Sequence, residues 1–249
     1  MAVNLIHGDC MQEMKNIPDG SVDMILADPP YGATKNKWDS ILPLENMWFQ
    51  LNRIIKPNGA IVLTASQPFT STLVSSNINM FKSEWIWVKN KGSGHLNANK
   101  MPMKFHESVL VFYKKPPVYN PQMTSGHSVK KSYKGNVKQT ENYGFTKPSV
   151  YKPSAERHPR NLIKINVVNN DGSNDGRFHP NQKPVELMEY FIKTYTNEHD
   201  IVIDFTMGVA STGVACLRTN RSFIGIEADH SYFQQGQKRM LSEWLFNGC

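Results

Sequence analysis

Short apolar runs alternate along this chain with stretches whose apolar residues recur every three or four positions, and no other feature limits its fold as much. Residues 4–7 and the run Val22-Asp23-Met24-Ile25-Leu26-Ala27 read as strands. Between Asp39 and Ile55 the residues Leu44, Met47, Trp48, Leu51, Ile54 and Ile55 keep helical spacing, and Lys56-Pro57-Asn58-Gly59 stops that helix. Residues 60–65, 84–88 and 108–113 are strand-like, with a helix over 68–80. Further on, 184–195, 212–218 and 230–245 read as helices, while 201–204 and 223–227 read as extended. Such alternation predicts an α/β fold, a mainly parallel sheet with helices on both faces. Internal repeats and low-complexity tracts are absent from the sequence.

The 249 residues suffice for one sizeable core, or a core with a small insert. Charged residues form 20% of the chain and apolar ones are spread along it, which excludes a disordered protein. The longest uncharged stretch, residues 57–81, carries too many Ser, Thr, Asn and Pro residues to span a bilayer. The opening Met-Ala-Val-Asn-Leu-Ile-His-Gly-Asp lacks a basic region followed by an apolar run, so a cytoplasmic location is expected. Cys10, Cys216 and Cys249 are an odd set without Cys-x-x-Cys spacing, which points to neither a disulfide framework nor a zinc knuckle, and no metal site is expected.

Positive charge is concentrated in one place. Residues 114–178 hold nine Lys and three Arg against two Asp and two Glu, so this segment is strongly basic while the rest of the chain is nearly balanced. Tyr119, Tyr133, Tyr143 and Tyr151 are interleaved with these cations, and periodic apolar residues are almost missing. Cations neutralise phosphates and rings stack on bases, so the segment reads as an irregular, nucleic-acid-binding insert. A solvated loop that is merely basic is the plainer alternative.

Two short motifs carry chemistry. Asp28-Pro29-Pro30-Tyr31 directly follows the strand at 22–27, where open α/β sheets place their ligand crevice. Its two prolines fix the backbone and remove two N–H donors, which leaves carbonyls and the Asp28 carboxylate as acceptors for a donor such as an amine. Near the other end, Ile201-Val202-Ile203-Asp204-Phe205-Thr206-Met207-Gly208-Val209-Ala210-Ser211-Thr212-Gly213 runs from a strand through a small-residue loop into a helix. The next strand, Phe223-Ile224-Gly225-Ile226-Glu227, ends in an acid that can accept from two ribose hydroxyls. The G-x-G-x-x-G of dinucleotide sites is missing, which argues against a nicotinamide dehydrogenase.

Asp28-Pro29-Pro30-Tyr31, the loop at 205–212, His179-Pro180-Asn181-Gln182-Lys183-Pro184 and Gly8-Asp9-Cys10 together resemble the signature segments of S-adenosylmethionine-dependent DNA amino-methyltransferases. Their order is similar to the circularly permuted β class of bacteria and phages. The resemblance implies a Rossmann-like methyltransferase fold with a catalytic half at 1–113, a target-recognition insert at 114–178 and a cofactor-binding half at 179–249. It covers residues 4–113 and 179–240, and the insert lies outside it.

What the resemblance implies for single residues follows from this chemistry. Asp28 and the Pro29 carbonyl would each accept an N–H of the target amine, with Pro30 fixing the turn and Tyr31 stacking on the base after it leaves the duplex. The cofactor would be held by Asp9, Cys10, Asp204, Phe205, Ala210 and Glu227, with Thr206, Gly208, Ser211 and Thr212 around its methionine part and Lys183 on the methionine carboxylate. Double-stranded DNA would be gripped by Lys35 and Lys37 and, on the charge of the insert rather than on the resemblance, by Lys130, Lys131, Lys134, Arg157 and Arg160; Trp38 belongs to the segment that could close over the target, and His179 reads as structural. Asp rather than Ser at the head of the tetrapeptide is associated with the 6-amino group of adenine, the 4-amino group of cytosine being the alternative. A homodimer and a cognate restriction endonuclease are the further partners implied; a non-catalytic DNA-binding protein of the same fold is the rival from another class. Ala210 stands where relatives commonly carry glycine; either the loop has shifted so that this residue keeps negative φ with full cofactor affinity, which the intact motifs around it favour, or the site binds S-adenosylmethionine more weakly than in relatives.

Overall fold

The computed structural model describes residues 1–32, 40–129, 153–168 and 181–247. Lys35, Lys37, Trp38, Lys130, Lys131, Lys134 and His179 therefore lie outside the described residues. Two compact units are present, one of Met1–Asn120 with Asn161–Cys249, the other of Pro121–Arg160.

The larger unit is built on an eight-stranded sheet among the described residues. Its strands are β1 (Val3–His7), β2 (Val22–Ala27), β3 (Ile55–Ala65), β4 (Phe81–Ser93), β5 (Lys104–Phe112), β6 (Leu162–Lys164), β7 (Ile201–Asp204) and β8 (Ser222–Glu227). The helices are α1 (Cys10–Glu13), α2 (Leu44–Ile54), α3 (Phe69–Ser76), α4 (Val185–Tyr195), α5 (Ser211–Arg218) and α6 (His230–Asn247). Strand order is β1-β8-β7-β2-β3-β5-β4-β6. Only the β3–β5 and β4–β5 pairs are antiparallel, so the expectation of a mainly parallel α/β sheet is met.

Strands covered on both faces need apolar side chains on both, which is why residues 24–27 of β2 and 60–65 of β3 read as nearly continuous apolar runs, whereas β3 begins earlier than expected, with the exposed Pro57 and Asn58 of the helix-stopping segment inside it. Met24 and Leu26 of β2 pack into the layer built by α4, α5 and α6, around Phe191, Val214, Phe223 and Met240. Ile25 and Ala27 face the opposite layer, with Met14, Met47, Trp48, Leu51 and Phe69. One strand thus separates two cores, and a one-residue slip would exchange them.

The basic segment is narrower in the fold than in the sequence. Residues 161–168 return to the sheet: β6 pairs in parallel with β4, Ile163 and Ile165 are buried, and the Trp87 indole N–H donates to the Ile165 carbonyl at 2.8 Å. The alternation Ile163, Ile165, Val167 is the period-2 signal of this segment, short enough to be passed over in a stretch that is otherwise polar. Among the described residues of the compact unit within the segment, Pro121–Arg160, Thr124 forms an antiparallel bridge with Arg157. The Arg157 guanidinium donates to the carbonyls of Ser154, Glu156 and Ser128 at 2.6, 2.8 and 2.6 Å, so it braces its own unit, whereas Arg160 is exposed. Among the described residues no helix is long and apolar enough to cross a membrane.

Candidate active site

Four parallel neighbours, β1, β8, β7 and β2, all end on one side of the sheet, and each is followed by a candidate residue: Asp9 after β1, Glu227 closing β8, Phe205 after β7, Asp28 after β2. From β7 the chain winds to β8 on one side, and from β2 it winds to β3 on the other. A crevice opens where such connections diverge, and a cleft of about 1210 Å³ lies there. Asp28, Pro29, Pro30, Tyr31, Asp9, Cys10, Lys183, Asp204, Phe205, Thr206, Gly208, Ser211, Thr212 and Glu227 line it; Ala210 does not.

Asp28 is the most heavily engaged group in the cleft. The Tyr31 hydroxyl donates to its Oδ1 at 2.6 Å and lies 2.9 Å from Thr64 Oγ1, which itself contacts Asp28 Oδ1. On the other oxygen, the Lys183 ammonium sits 2.7 Å from Oδ2. That ammonium also lies 3.2 Å from Glu107 Oε2, while Lys89 closes the chain of charges 2.9 Å from Glu107 Oε1. Burial opposes the charge on Lys183, yet Asp28 and Glu107 overcome it and hold the ammonium well above its usual range. Burial likewise raises Glu107, but Lys183 and Lys89 prevail and keep its carboxyl below the ordinary value. Burial, then the neighbouring Asp28, pushes the Tyr31 phenol far up, so it stays a donor.

Two of the assigned side chains have partners within the protein. Lys183, assigned to a methionine carboxylate, lies between two carboxylates of the chain, because the turn before α4 carries it onto the end of β2. The Tyr31 ring, assigned to the target base, stacks on Phe69 with centroids 5.5 Å apart, and its hydroxyl is directed at Asp28. Glu107 and Thr64 were not picked out from sequence: they lie on β5 and β3, and their neighbours there are mostly apolar.

The far end of the cleft is built by backbone donors and buried acids. Glu227 accepts the N–H of Gly208 at 2.9 Å and of Asp229 at 2.8 Å, and burial raises its carboxyl. Asp204 accepts from the Thr212 hydroxyl at 2.7 Å and the Thr206 N–H at 3.0 Å; full burial outweighs both bonds and pushes it to about 7. The Thr206 hydroxyl reaches the Asp28 carbonyl at 3.1 Å, tying the two motif loops together. Ser211 accepts from Arg239 at 3.1 Å, Asp9 caps α1 through the Gln12 N–H at 3.1 Å, and burial, with Asp9 alongside, pushes the Cys10 thiol up to about 12. Phe205 is a core side chain with 1% exposure.

The expectation of negative φ at Ala210 is overturned. Its φ is +60° and ψ is 41°, the left-handed conformation, at the N-terminal cap of α5. Alanine there costs about 1–2 kcal/mol. The residue is fully buried in the α-helical layer, near Gly236 of α6, so burial of its methyl offsets part of that strain.

The fold and this cleft together define an enzyme of the DNA methylase family: the chain matches that family over residues 22–238 and belongs to it. It is 28% identical over 255 residues to the DNA adenine methyltransferase YhdJ of Escherichia coli (strain K12), covering 96% of this chain and 83% of that protein. The structure of the M1.HpyAVI-SAM complex shares 27% identity with a TM-score of 0.63, covering 95% of this chain and 99% of the other. PvuII DNA methyltransferase, described as cytosine-N4-specific, has a TM-score of 0.69 at 19% identity over 96% of this chain and 86% of its own, a likeness of fold alone.

Proposed function

We propose that this DNA methylase transfers the methyl group of S-adenosylmethionine to the 6-amino group of an adenine extruded from double-stranded DNA. The observation that carries the reading is one cleft holding an acceptor pair, Asp28 and Pro29, beside a nucleoside-type acid, Glu227. Residues and cofactor fit. A single ligand occupies about 300–1,000 Å³, and the cleft, at about 1210 Å³, leaves room for a cofactor and an extruded nucleotide. Gly208 has φ +52°, and a Cβ there would meet nothing within 4 Å, so the loop backbone is open to a ligand. Glu227 uses one lone pair on each oxygen for backbone N–H groups and keeps the others for ribose hydroxyls.

When bound, the cofactor supplies an electrophilic methyl on a sulfonium. The chain must make a poor nucleophile attack it. An exocyclic amine is weak because its lone pair is delocalised into the ring, and acceptors that take both N–H groups localise it on nitrogen. Asp28 and the Pro29 carbonyl are those acceptors, and Tyr31, Thr64 and Lys183 hold the carboxylate in one orientation before the amine arrives. Asp28 is also the carboxylate within reach of the proton that the methylated amine sheds. Lys183 acts through Asp28 and is a positioning residue.

Incubation of the purified protein with labelled cofactor and unmethylated genomic DNA, followed by digestion to nucleosides, tests the reading. N6-methyladenine is the expected product; N4-methylcytosine would correct the base, and no label despite cofactor binding would sink the reaction. Asp28→Ala is expected to lose about 10²–10³-fold in rate with cofactor affinity retained. A homodimer and a cognate restriction endonuclease enter this reading through the resemblance alone, and sedimentation at several concentrations tests the first.

A further inference from the structure

Residues 89–104 join β4 to β5 as a hairpin that the two motifs do not account for. Where it leaves the sheet, Trp87 pairs with Glu107, the carboxylate that meets Lys183. Three residues further along β5, Lys104 pairs with Ser93, and β4 carries three extra residues over the same span as a bulge. At about 3.3 Å per residue this outer rung stands roughly 10 Å beyond Glu107, comparable to the ~8.5 Å depth of a major groove. Residues 94–103 lie beyond it, with a single 3₁₀ turn at His95–Asn97.

The hairpin is a braced structure. The Phe105 ring covers Gly92, where a Cβ would come within 2.5 Å of its Cε2, and Gly94 makes the bend at φ +88°. The Lys104 ammonium donates to the Gln67 carbonyl at 2.9 Å. Its surface has one sign of charge: no Asp or Glu occurs from Trp85 to His106, while Lys91, Lys100, Lys104 and His95 are exposed. Leu96, at the tip, is 87% exposed, the highest value of any large apolar side chain among the described residues. One exposed leucine is ordinary. Here it tops a cationic finger whose Lys91, Gly94, Asn97 and Met101 wall the cleft that contains Asp28.

An amine inside a base pair reaches Asp28 only if its nucleotide leaves the stack, and the gap left behind is costly until something apolar fills it. We propose that the β4–β5 hairpin opens the duplex, with Leu96 entering the stack in place of the extruded base and Lys91, Lys100 and Lys104 holding the flanking phosphates. This rests on the methyltransferase reading and adds to it the element that lowers the cost of extrusion. Leu96 is a positioning residue, since it touches the vacated duplex and not the reacting amine.

The test uses the full chain and two duplexes bearing its methylation site, located beforehand by sequencing methylated genomic DNA. In one the target base is paired; in the other it faces an abasic position, so that extrusion is already cheap. For Leu96→Ala the ratio of methylation rates, paired over abasic-opposed, is expected to fall at least tenfold, and Leu96→Met to restore it within threefold. An unchanged ratio, whether both rates hold or both drop together, overturns the proposal. If the unaltered protein methylates neither duplex, the methyltransferase reading itself fails, an outcome distinct from a lost wedge. Thermal unfolding within about 2 °C of the parent is expected for both variants, because Leu96 is solvent-exposed.

Discussion

Replacing Lys183 with methionine keeps the length of the side chain and removes the cation at the centre of the Asp28–Lys183–Glu107–Lys89 chain. The ammonium is 8% exposed and lies 2.7 Å from one carboxylate and 3.2 Å from the other. At an effective dielectric of roughly 20 each contact is worth about 5 kcal/mol before the desolvation of the lysine, which costs several kcal/mol, is subtracted. Removing one partner of a buried pair leaves an uncompensated charge and costs about 3–5 kcal/mol; Lys89 still faces Glu107, which places the expectation at the lower end. For a chain of this size each kcal/mol moves the unfolding midpoint by about 2–4 °C, so Lys183→Met is expected to unfold roughly 6–12 °C lower near neutral pH. The pH dependence identifies the cause. The folded Glu107 pKa lies below its ordinary 4.5, so its contribution is complete above about that pH and disappears as pH falls through the folded value. The Lys183 pKa is raised, so its contribution is present below 10.5 and lost as pH climbs through the folded value. Circular-dichroism melts of parent and variant should therefore differ fully near pH 7 and converge as the pH falls below the ordinary carboxylate range. A difference under about 2 °C at neutral pH, or one of equal size below that range, would falsify the electrostatic account.

Two further perturbations address the cofactor loop. In Asp204→Asn a carboxyl raised from 3.8 to about 7 is replaced by a group that does not ionise. The folded state binds this proton more tightly than the unfolded one, so the parent loses stability as pH rises through about 4–7; the melting temperature of the variant minus that of the parent should increase between about pH 5 and pH 8, and a constant difference removes Asp204 from the pH dependence. Ala210→Gly relieves about 1–2 kcal/mol of left-handed strain but loses a buried methyl and frees the unfolded chain, terms of about 0.8 and 0.4–1 kcal/mol. Stability should stay within about 1 kcal/mol, and because Ala210 does not line the cleft, calorimetric titration should find cofactor affinity within threefold; a tenfold change would show that the residue shapes the site after all.

Where burial on both faces makes a strand mostly apolar, sequence and structure agree to the residue, as for β2 and β7. The helices with an apolar stripe at three- and four-residue steps, α2, α4 and α6, are found within a few positions of their expected bounds. Both motif loops lie where expected because an acid or a turn at the carboxyl end of a parallel strand has a fixed address in such a sheet. Short or solvent-facing elements escaped: the four-residue α1, the three-residue β6, whose alternation of Ile163 with Ile165 is brief, and the outer half of the β4–β5 hairpin, whose residues face solvent and leave no apolar pattern.

By itself the sequence determines which segments are strands and helices and that the sheet is mainly parallel, since this follows from local sterics and the spacing of apolar groups; that Asp28 and Glu227 share one cleft is implied by the family resemblance alone and is decided by the order of β8, β7 and β2 in the sheet. The tertiary structure decides which charges meet. Lys183 and Asp28 are 155 positions apart, and only the turn before α4 brings the ammonium onto the end of β2, with Glu107 supplied by an antiparallel strand. It decides, too, that Ala210, at the cap of α5 and packed near Gly236 of α6, takes a left-handed backbone. Propensity acts over a few residues, whereas Coulomb attraction and close packing act between whichever groups the fold places within a few ångströms, and no local pattern records those pairs.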